Sequence, residues 1–228
     1  MTEDWIRALR SRKPADRWRA AACLIDAARS QQAVALAALA DALEDEHPFV
    51  RWRAGLTLAQ AGRPQAMAVL FDGLENGSPR RRAAAADALG YTRQAGVEHL
   101  LRALSHEEAF VRQSAVEALG RFGHRRDARR YLTLLADESP WVRRAAARAL
   151  AHIGDGEAVG PLSRRLADES PLVRRSAAYA LGAMRARPAV SALITALGDP
   201  DPQVRRNAAW GLGRIGDPVA LPQLRALC

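Results

Sequence analysis

Apolar and small positions recur along this chain at helical spacing, and the same arrangement returns at a regular interval. In the stretch 170–182, SPLVRRSAAYALG, the apolar residues are spaced as one face of a helix. The stretches SPWVRRAAARALA, from Ser139, and DPQVRRNAAWGLG, from Asp201, repeat this arrangement. The pattern therefore predicts one kind of helix that recurs along the chain.

An arginine marks each copy of this helix, and the gaps between successive arginines give the period. These gaps are 34, 31, 30, 31, 31 and 31 residues. A fixed period in this range is typical of a solenoid, in which small supersecondary units stack on their neighbours. The arginines are Arg17, Arg51, Arg82, Arg112, Arg143, Arg174 and Arg205.

Start and stop signals divide each repeat into two helices. Ser170 is a favourable N-cap, and Pro171 suits the first helical position because its missing N–H costs nothing there. At the other end, Gly216 suits a left-handed position, Asp217 a cap and Pro218 the start of the next helix. The short linkers between these signals require antiparallel neighbouring helices.

The sequence thus predicts an all-α fold without a domain boundary. We expect one continuous α-solenoid over residues 1–228, a right-handed superhelix of about seven and a half two-helix repeats of about 31 residues. The first repeat is an irregular N-terminal cap, residues 1–30, and a capping helix over 217–228 closes the other end. The predicted pairs are 3–12 with 14–28, then 31–62, 64–92, 94–123, 125–154, 156–185 and 187–216.

The composite pattern L-x-D-x-S-P-x-V-R-R-x-A-A-x-A-L-G-x-I-G-D, which stretch 166–182 matches closely, resembles a known family. It is similar to the short bacterial HEAT-like repeat that is named after the phycobiliprotein (PBS) lyases. The resemblance extends over almost the whole chain and implies a scaffold that uses its concave face for binding. The matching residues belong to the repeat itself, and none of them carries lyase chemistry.

The same resemblance draws attention to an aspartate six residues before the arginine. It is present as Asp45, Asp137, Asp168 and Asp199, whereas Asn76 and His106 replace it in two repeats and Ser11 in the first. We expect a structural ladder, in which each arginine fork bridges carboxylates or turn carbonyls of its own and the adjacent repeat. Such a ladder would be weaker around Asn76 and His106.

Second helices line the concave face of such solenoids, and the resemblance places this face on one helical stripe. The stripe contains the residue after each ladder arginine, the residues four and eight positions later, and the residue two before the arginine. Its C-terminal part is basic with interleaved aromatic residues, which suggests contact anchors. The candidate binding residues are Trp18, Phe49, Trp52, Phe110, Trp141, Arg144, Arg148, His152, Arg175, Tyr179, Arg206, Trp210 and Arg214.

Charge leaves three interpretations of this basic stripe open. The 34 Lys and Arg residues against 25 Asp and Glu give a formal charge of +9, and Lys13 is the only lysine. The stripe could bind an acidic protein segment, it could bind nucleic acid through phosphates and stacked bases, or it could be a solvated face. A second basic cluster, which is more typical of solvated surface, contains Arg121, His124, Arg125, Arg126, Arg129 and Arg130.

Signals for an enzyme are weak. No histidine pair has metal-ligand spacing on one helix, and His106-Glu107 occurs once, unlike the repeated His-Glu pairs of the similar deoxyhypusine hydroxylases. Asp87 and Glu117 could serve a glycosylase-like groove, but they lie in no motif. We therefore expect no catalytic residue, no metal and no cofactor, with phycobilin-lyase-like chromophore handling kept as an alternative.

Two cysteines, Cys23 and Cys228, form neither a disulfide framework nor a metal site. Cys23 is expected in the core, and Cys228 could be reactive if exposed. The first residues have no apolar signal segment, and no stretch is apolar enough to span a membrane. We expect a cytoplasmic, monomeric, non-enzymatic scaffold that binds a protein partner, with nucleic-acid binding as the alternative.

Overall fold

Helices are the only regular secondary structure in the part of the chain that the computed structural model describes, which is residues 1–92, 94–122 and 128–225. The chain divides into two compact units, Met1–Ala118 and Leu119–Cys228, here called the N-terminal and C-terminal units. His124, Arg125 and Arg126 of the second basic cluster lie outside the described residues. Cys228 and the end of the predicted capping helix also lie outside them.

In the N-terminal unit, the second helices of successive repeats pack side by side. Helix α2 packs against α5, and α5 packs against α7, while the first helices α4 and α6 form a separate layer. The helices are α1 (Thr2–Ala8), α2 (Pro14–Cys23), α3 (Ile25–Arg29), α4 (Ala33–Ala42), α5 (Pro48–Ala61), α6 (Pro64–Asn76), α7 (Pro79–Tyr91), α8 (Gln94–Ala103) and most of α9 (Ala109–Arg121).

The C-terminal unit has the same arrangement. Its second helices pack in the order α11, α13 and α15, and the first helices flank them. The helices are α10 (Ala128–Leu134), α11 (Pro140–Ile153), α12 (Val159–Arg164), α13 (Pro171–Ala183), α14 (Val190–Ala196), α15 (Pro202–Ile215) and α16 (Leu221–Arg225), with 3-10 turns at Gly156–Ala158, Arg165–Ala167, Arg187–Ala189 and Pro218–Ala220.

The second helices bury the apolar face that the pattern predicts. In α13, Val173, Ala177 and Leu181 have no exposed surface. Gly182 in α13 faces Gly211 in α15, and a Cβ on Gly182 would also lie 2.9 Å from Cζ3 of Trp210. The two helices therefore approach so closely that a side chain does not fit between them, and this brings their outer faces together.

The predicted stop signals are confirmed at the C-terminal ends of α11 and α15. Gly154 and Gly216 adopt left-handed φ angles of 72° and 70°, which glycine takes without the strain of a Cβ. Asp155 and Asp217 then accept hydrogen bonds from the backbone N–H groups of Glu157 and Val219. These caps start the 3-10 turns that open the next first helices.

Three predictions of local structure are wrong. The helix expected over residues 14–28 is interrupted at Leu24, where ψ is 4° and α2 ends before α3 begins. Cys23, which was expected in the core, is exposed at the C-terminal end of α2. The side chains of Ser170 and of Ser139, which holds the same place before α11, make no N-cap hydrogen bond, and the backbone N–H groups of both serines donate to the preceding ladder aspartates.

Candidate functional site

The ladder arginines of the C-terminal unit join successive repeats. Nε and Nη2 of Arg143 donate to the two carboxylate oxygens of Asp168, at 3.0 and 2.9 Å, and both side chains are almost fully buried. Arg174 makes the same two-pronged contact to Asp199, at 2.7 and 3.0 Å. This fork geometry fixes the distance and the angle between neighbouring second helices.

The third nitrogen of each fork binds the turn of its own repeat. Nη1 of Arg143 donates to the carbonyls of Asp137 and Glu138, both at 2.9 Å. These carbonyls precede α11, so the arginine also satisfies acceptors of its own turn. Arg112 and Arg205 contact their own turn carbonyls in the same way. Asp137 accepts from the backbone N–H of Ser139 at 2.9 Å.

In the N-terminal unit, the contacts of a ladder arginine depend on whether the next repeat has an aspartate at the ladder position. Arg17 donates from Nε and Nη2 to Asp45, at 2.6 and 2.9 Å. Among the described residues, Arg51 hydrogen-bonds only to the carbonyls of Asp45 and Glu46, at 2.6 and 2.9 Å. The position that would receive its other nitrogens is Asn76, which lies inside α6 and donates to Asp72.

The second substituted position changes the contacts of Arg82. His106 stands where the next aspartate would be, and it accepts a hydrogen bond from the backbone N–H of Glu108. Arg82 instead donates to the carbonyl of Leu74 at 3.1 Å and makes a 3.4 Å contact with Glu108. Both Arg51 and Arg82 therefore lack the two-pronged carboxylate contact within the described residues.

The pKa values of three ladder aspartates, Asp45, Asp168 and Asp199, are lowered from the ordinary value. Burial raises the pKa of Asp168, but hydrogen bonds from Arg143 and from the N–H of Ser170 outweigh it, and the pKa falls below 3.8. The pKa of Asp45 is lowered by the same balance. At Asp199 the hydrogen bonds from Arg174 are the largest cause of the lowered pKa.

The predicted binding stripe lies on the surface of the second helices. Among its aromatic residues in the C-terminal unit, Trp141, Tyr179 and Trp210 are each about two-fifths exposed, at 43%, 43% and 40%. Arg148, Arg206 and Arg214 are exposed, and His152 is exposed near the end of α11. These positions alternate with the buried alanines and leucines of the same helices.

A groove lies on this surface between the second helices of the C-terminal unit. Its volume is about 420 Å³, and α11, α13 and α15 all contribute to its walls. Arg144, Arg148 and His152 form one wall as a row along α11. The full lining consists of Arg144, Arg148, His152, Leu172, Arg175, Ser176, Tyr179 and Asn207.

The aromatic rings beside the groove contact other side chains of the unit. Tyr179 and Trp210 stack with their ring centroids 5.1 Å apart and an interplanar angle of 8°. The guanidinium of Arg214 lies over the indole of Trp210 at 5.5 Å, and that of Arg144 lies over Trp141 at 5.9 Å. These stacking and cation–π contacts restrict the rings to one orientation.

The groove arginines differ in their partners. Nε of Arg175 donates to Asp201 Oδ1 at 2.9 Å, and Nη2 donates to Oδ2 of the same carboxylate. This contact raises the pKa of Arg175 and lowers that of Asp201. Within the described part of the chain, Arg144 and Arg148 form no ion pair.

One residue at the start of the following second helix accounts for this difference. Arg175 lies 26 residues before Asp201, which is the N-cap of α15 and also accepts from the N–H groups of Gln203 and Val204. The residue at the same distance from Arg144 is Ser170, which carries no charge. Arg175, predicted as an open binding residue, is therefore already engaged by a carboxylate, and Arg144 is not.

The HEAT-repeat profile matches residues 2–90, 68–133, 129–194 and 165–228 of this chain. The chain belongs to the HEAT-repeat family. No curated protein matches the sequence significantly. The fold is an all-α solenoid of HEAT repeats, as the residue pattern predicts.

Solved structures similar to this chain are also helical repeat proteins. YibA of Escherichia coli is 20% identical with a TM-score of 0.62, and the match covers 90% of this chain and 89% of YibA. Kap95p, solved with RanGDP, is 15% identical with a TM-score of 0.59, over 94% of this chain and 35% of Kap95p. At these identities the likeness shows the fold alone.

A third similar structure is the CpcE–CpcF complex of phycocyanin lyase from Nostoc sp. It is 23% identical to this chain with a TM-score of 0.48, and the match covers 100% of this chain and 95% of the other.

The HEAT repeats of the N-terminal unit carry a separate group of exposed aromatic residues. Trp18 and Trp52 are 39% and 38% exposed, and the guanidinium of Arg53 lies over the ring of Trp18 at 5.3 Å. Phe49 is 67% exposed and its ring lies 5.6 Å from that of His47. Phe110 is 57% exposed in α9. These side chains are accessible, as a contact surface requires.

The residues proposed for chemistry are not gathered into a site. Glu117 accepts a hydrogen bond from Gln113 at 3.1 Å, and both Asp87 and Glu117 are half-buried. A search of the described residues finds no group of three or more His, Cys, Asp or Glu side chains that could hold a metal ion. The described helices are all too short or too polar to cross a membrane.

Sequence reasoning missed three residues that shape the groove. Ser176 and Asn207 line it, although neither lies on the predicted stripe. The third residue is Asp201, which the predicted stripe does not include. Its negative charge was the available signal, since serine occupies the same place before α7, α11 and α13, and Glu108 before α9 is the one other acidic residue there.

Proposed function

We propose that this HEAT-repeat chain is a non-enzymatic scaffold that binds a protein partner through the second-helix surface of its C-terminal unit. The observation that carries the proposal is the contrast between two sets of arginines. The side chains of Arg143 and Arg174 are paired with largely buried aspartate carboxylates, whereas Arg144 and Arg148 on α11 and Arg206 on α15 form no ion pair with a described carboxylate. Unneutralised arginines beside half-exposed aromatic residues are typical of interface anchors.

The proposed partner offers an acidic segment to this surface. Three positive side chains that form no ion pair within the described residues attract carboxylates and repel basic partners, so charge contributes specificity and association rate. The fixed aromatic rings add apolar contact area at little entropic cost, because Tyr179 and Trp210 are already held against each other.

A charge-reversal experiment tests this proposal. The tagged protein is compared with the variant Arg144→Glu, Arg148→Glu, Arg206→Glu in pull-downs from nuclease-treated lysate of the cells that make it, followed by mass spectrometry. The matched control is Arg129→Glu, Arg164→Glu, Arg187→Glu, which makes the same charge change at exposed positions of the first-helix layer.

The proposal predicts a protein partner that the wild type and the control retain and that the Arg144→Glu, Arg148→Glu, Arg206→Glu variant loses. Equal capture by all three proteins would overturn it. Nucleic acid as the captured species, with affinity that falls steeply with salt, would replace the protein-scaffold function with nucleic-acid binding.

A further inference from the structure

The row of cations on α11 has the spacing of an extended peptide. Arg144 and Arg148 are four residues apart on one helix, so their Cα atoms are separated by about 6 Å along its axis. In an extended chain, alternate side chains point to the same side and repeat every ~6.6–6.8 Å. Two carboxylates two residues apart could therefore face the two guanidinium groups at the same time.

The internal pair of Arg175 and Asp201 shows the chemistry that this groove accepts. A planar carboxylate is bound there through both oxygens by a guanidinium fork that lines the groove. Arg144 has the same position one repeat earlier and has Ser170 in place of the aspartate. The place beside Arg144 that corresponds to that of Asp201 beside Arg175 can thus be taken by a carboxylate from outside the chain.

Two polar side chains of the groove lining, Asn207 and His152, can hydrogen-bond to a peptide backbone. Nδ2 of Asn207 donates to the carbonyl of Arg175 at 2.9 Å, and its Oδ1 accepts from none of the described residues. Nδ1 of His152 lies 2.8 Å from the carbonyl of Arg148, which can only accept, so this nitrogen is the donor. His152 is thereby fixed at the end of the cation row.

The aromatic residues favour a peptide over a nucleic acid. A base needs an open ring face for stacking. Tyr179 and Trp210 stack on each other, and Arg214 also lies over the indole of Trp210. Tyr179, which is held against Trp210, therefore serves the groove as a fixed apolar wall.

From these observations we infer that the groove binds an extended segment of a protein partner with acidic residues at alternate positions, one carboxylate on Arg144 and the next on Arg148. The inference rests on the proposed function and specifies its ligand. It also assigns a role to the residue that begins the next second helix. A carboxylate at that place holds a groove arginine inside the chain, and a neutral residue leaves it to the partner.

Titration of the isotope-labelled protein with synthetic peptides, followed by NMR, tests this inference. Two neutral, blocked ten-residue peptides of one composition carry two glutamates, placed either two or three residues apart. We expect about tenfold tighter binding of the first peptide, since one added charge-assisted hydrogen bond contributes about that much. Arg144→Ala with Arg148→Ala should remove this preference. Equal affinity for both peptides would overturn the inference.

Two substitutions at the helix starts test the role of the neighbouring carboxylate. Asp201→Asn keeps an N-cap residue and releases Arg175, so the first peptide should bind severalfold more tightly. Ser170→Asp should hold Arg144 and weaken binding severalfold. Asp217→Asn is the matched control, because it changes the same charge at a helix cap outside the groove lining. Unchanged affinity in both groove variants would contradict the assignment.

The outcomes separate this inference from the proposed function. A partner that depends on Arg144 and Arg148 in the pull-down, combined with indifference to glutamate spacing, would reject the extended-segment inference alone. An oligodeoxythymidine that displaces the peptide and binds more tightly would reject both.

Discussion

At the residue scale, neighbouring arginines on one helix have opposite roles. Arg143 is buried and shares its fork between Asp168 and two turn carbonyls, whereas Arg144 faces the groove. The difference arises from helical geometry, because a step of one residue rotates a side chain by about 100°. The Arg-Arg pair in the repeat therefore joins a structural residue to a surface residue.

Removal of a ladder carboxylate should destabilise the fold. Asp168→Ala leaves the guanidinium of Arg143 buried without its carboxylate, and we expect a loss of about 3 kcal/mol in unfolding free energy. Urea denaturation followed by circular dichroism measures it. Asp26→Ala is the control, because Asp26 pairs with Arg29 at a largely exposed site and should change stability by less than about 0.5 kcal/mol. Equal losses in the two variants would contradict the buried-ladder interpretation.

At the element scale, the packing of α13 against α15 depends on two facing glycines. Gly182→Ala places a Cβ against Gly211 and 2.9 Å from the ring of Trp210. We expect a destabilisation of about 1–3 kcal/mol and a change in Trp210 fluorescence, because the helices have to separate.

The control for this prediction lies on the same helix pair. Gly213 is in α15, and a Cβ there would meet no atom within 4 Å. Gly213→Ala should stabilise the protein by roughly 0.5–1 kcal/mol, because alanine favours the helical state more than glycine does. If Gly182→Ala also stabilises the protein, the close helix approach is not a constraint.

The second helices could be predicted well because local and periodic signals agree. Each second helix begins with a proline, or with alanine in α9, and each has an inward apolar face and an arginine at the same place in the repeat. The first helices were less predictable, since α12 and α14 are short and are preceded by 3-10 turns. The interruption at Leu24 has no helix-breaking residue beside it, so no local signal marked it.

The candidate groove was predictable only in part. Arg144, Arg148, His152 and Tyr179 follow from the helical stripe, because their direction depends on their own helix. The engagement of Arg175 depends on Asp201 in the next repeat, 26 residues away. A stripe drawn on one helix contains no information about such a contact.

At the scale of the whole molecule, the ladder makes stability depend on acid pH. Asp45, Asp168 and Asp199 have pKa values below 3.8, the ordinary value expected in the unfolded chain. The unfolded chain therefore takes up protons first as the pH falls. The ladder's contribution is complete above the unfolded pKa and is lost as the pH falls through the folded values.

Urea denaturation at neutral pH and at several values below about pH 4 checks this dependence. The unfolding free energy should fall steadily in acid. The double variant Asp168→Asn, Asp199→Asn should be less stable at neutral pH and should show a flatter acid dependence. A wild-type stability that stays constant below about pH 4 would contradict the ladder's electrostatic role.

The central claim is that the groove of the C-terminal unit binds an acidic protein segment. A photo-crosslinking phenylalanine analogue at position 179 tests it most directly, with the same analogue at Val219, an exposed position outside the groove, as the control. The account predicts an adduct from position 179 only, which maps to an acidic peptide and disappears with Arg144→Glu, Arg148→Glu. Equal adducts from both positions, or an adduct with nucleic acid, would contradict it.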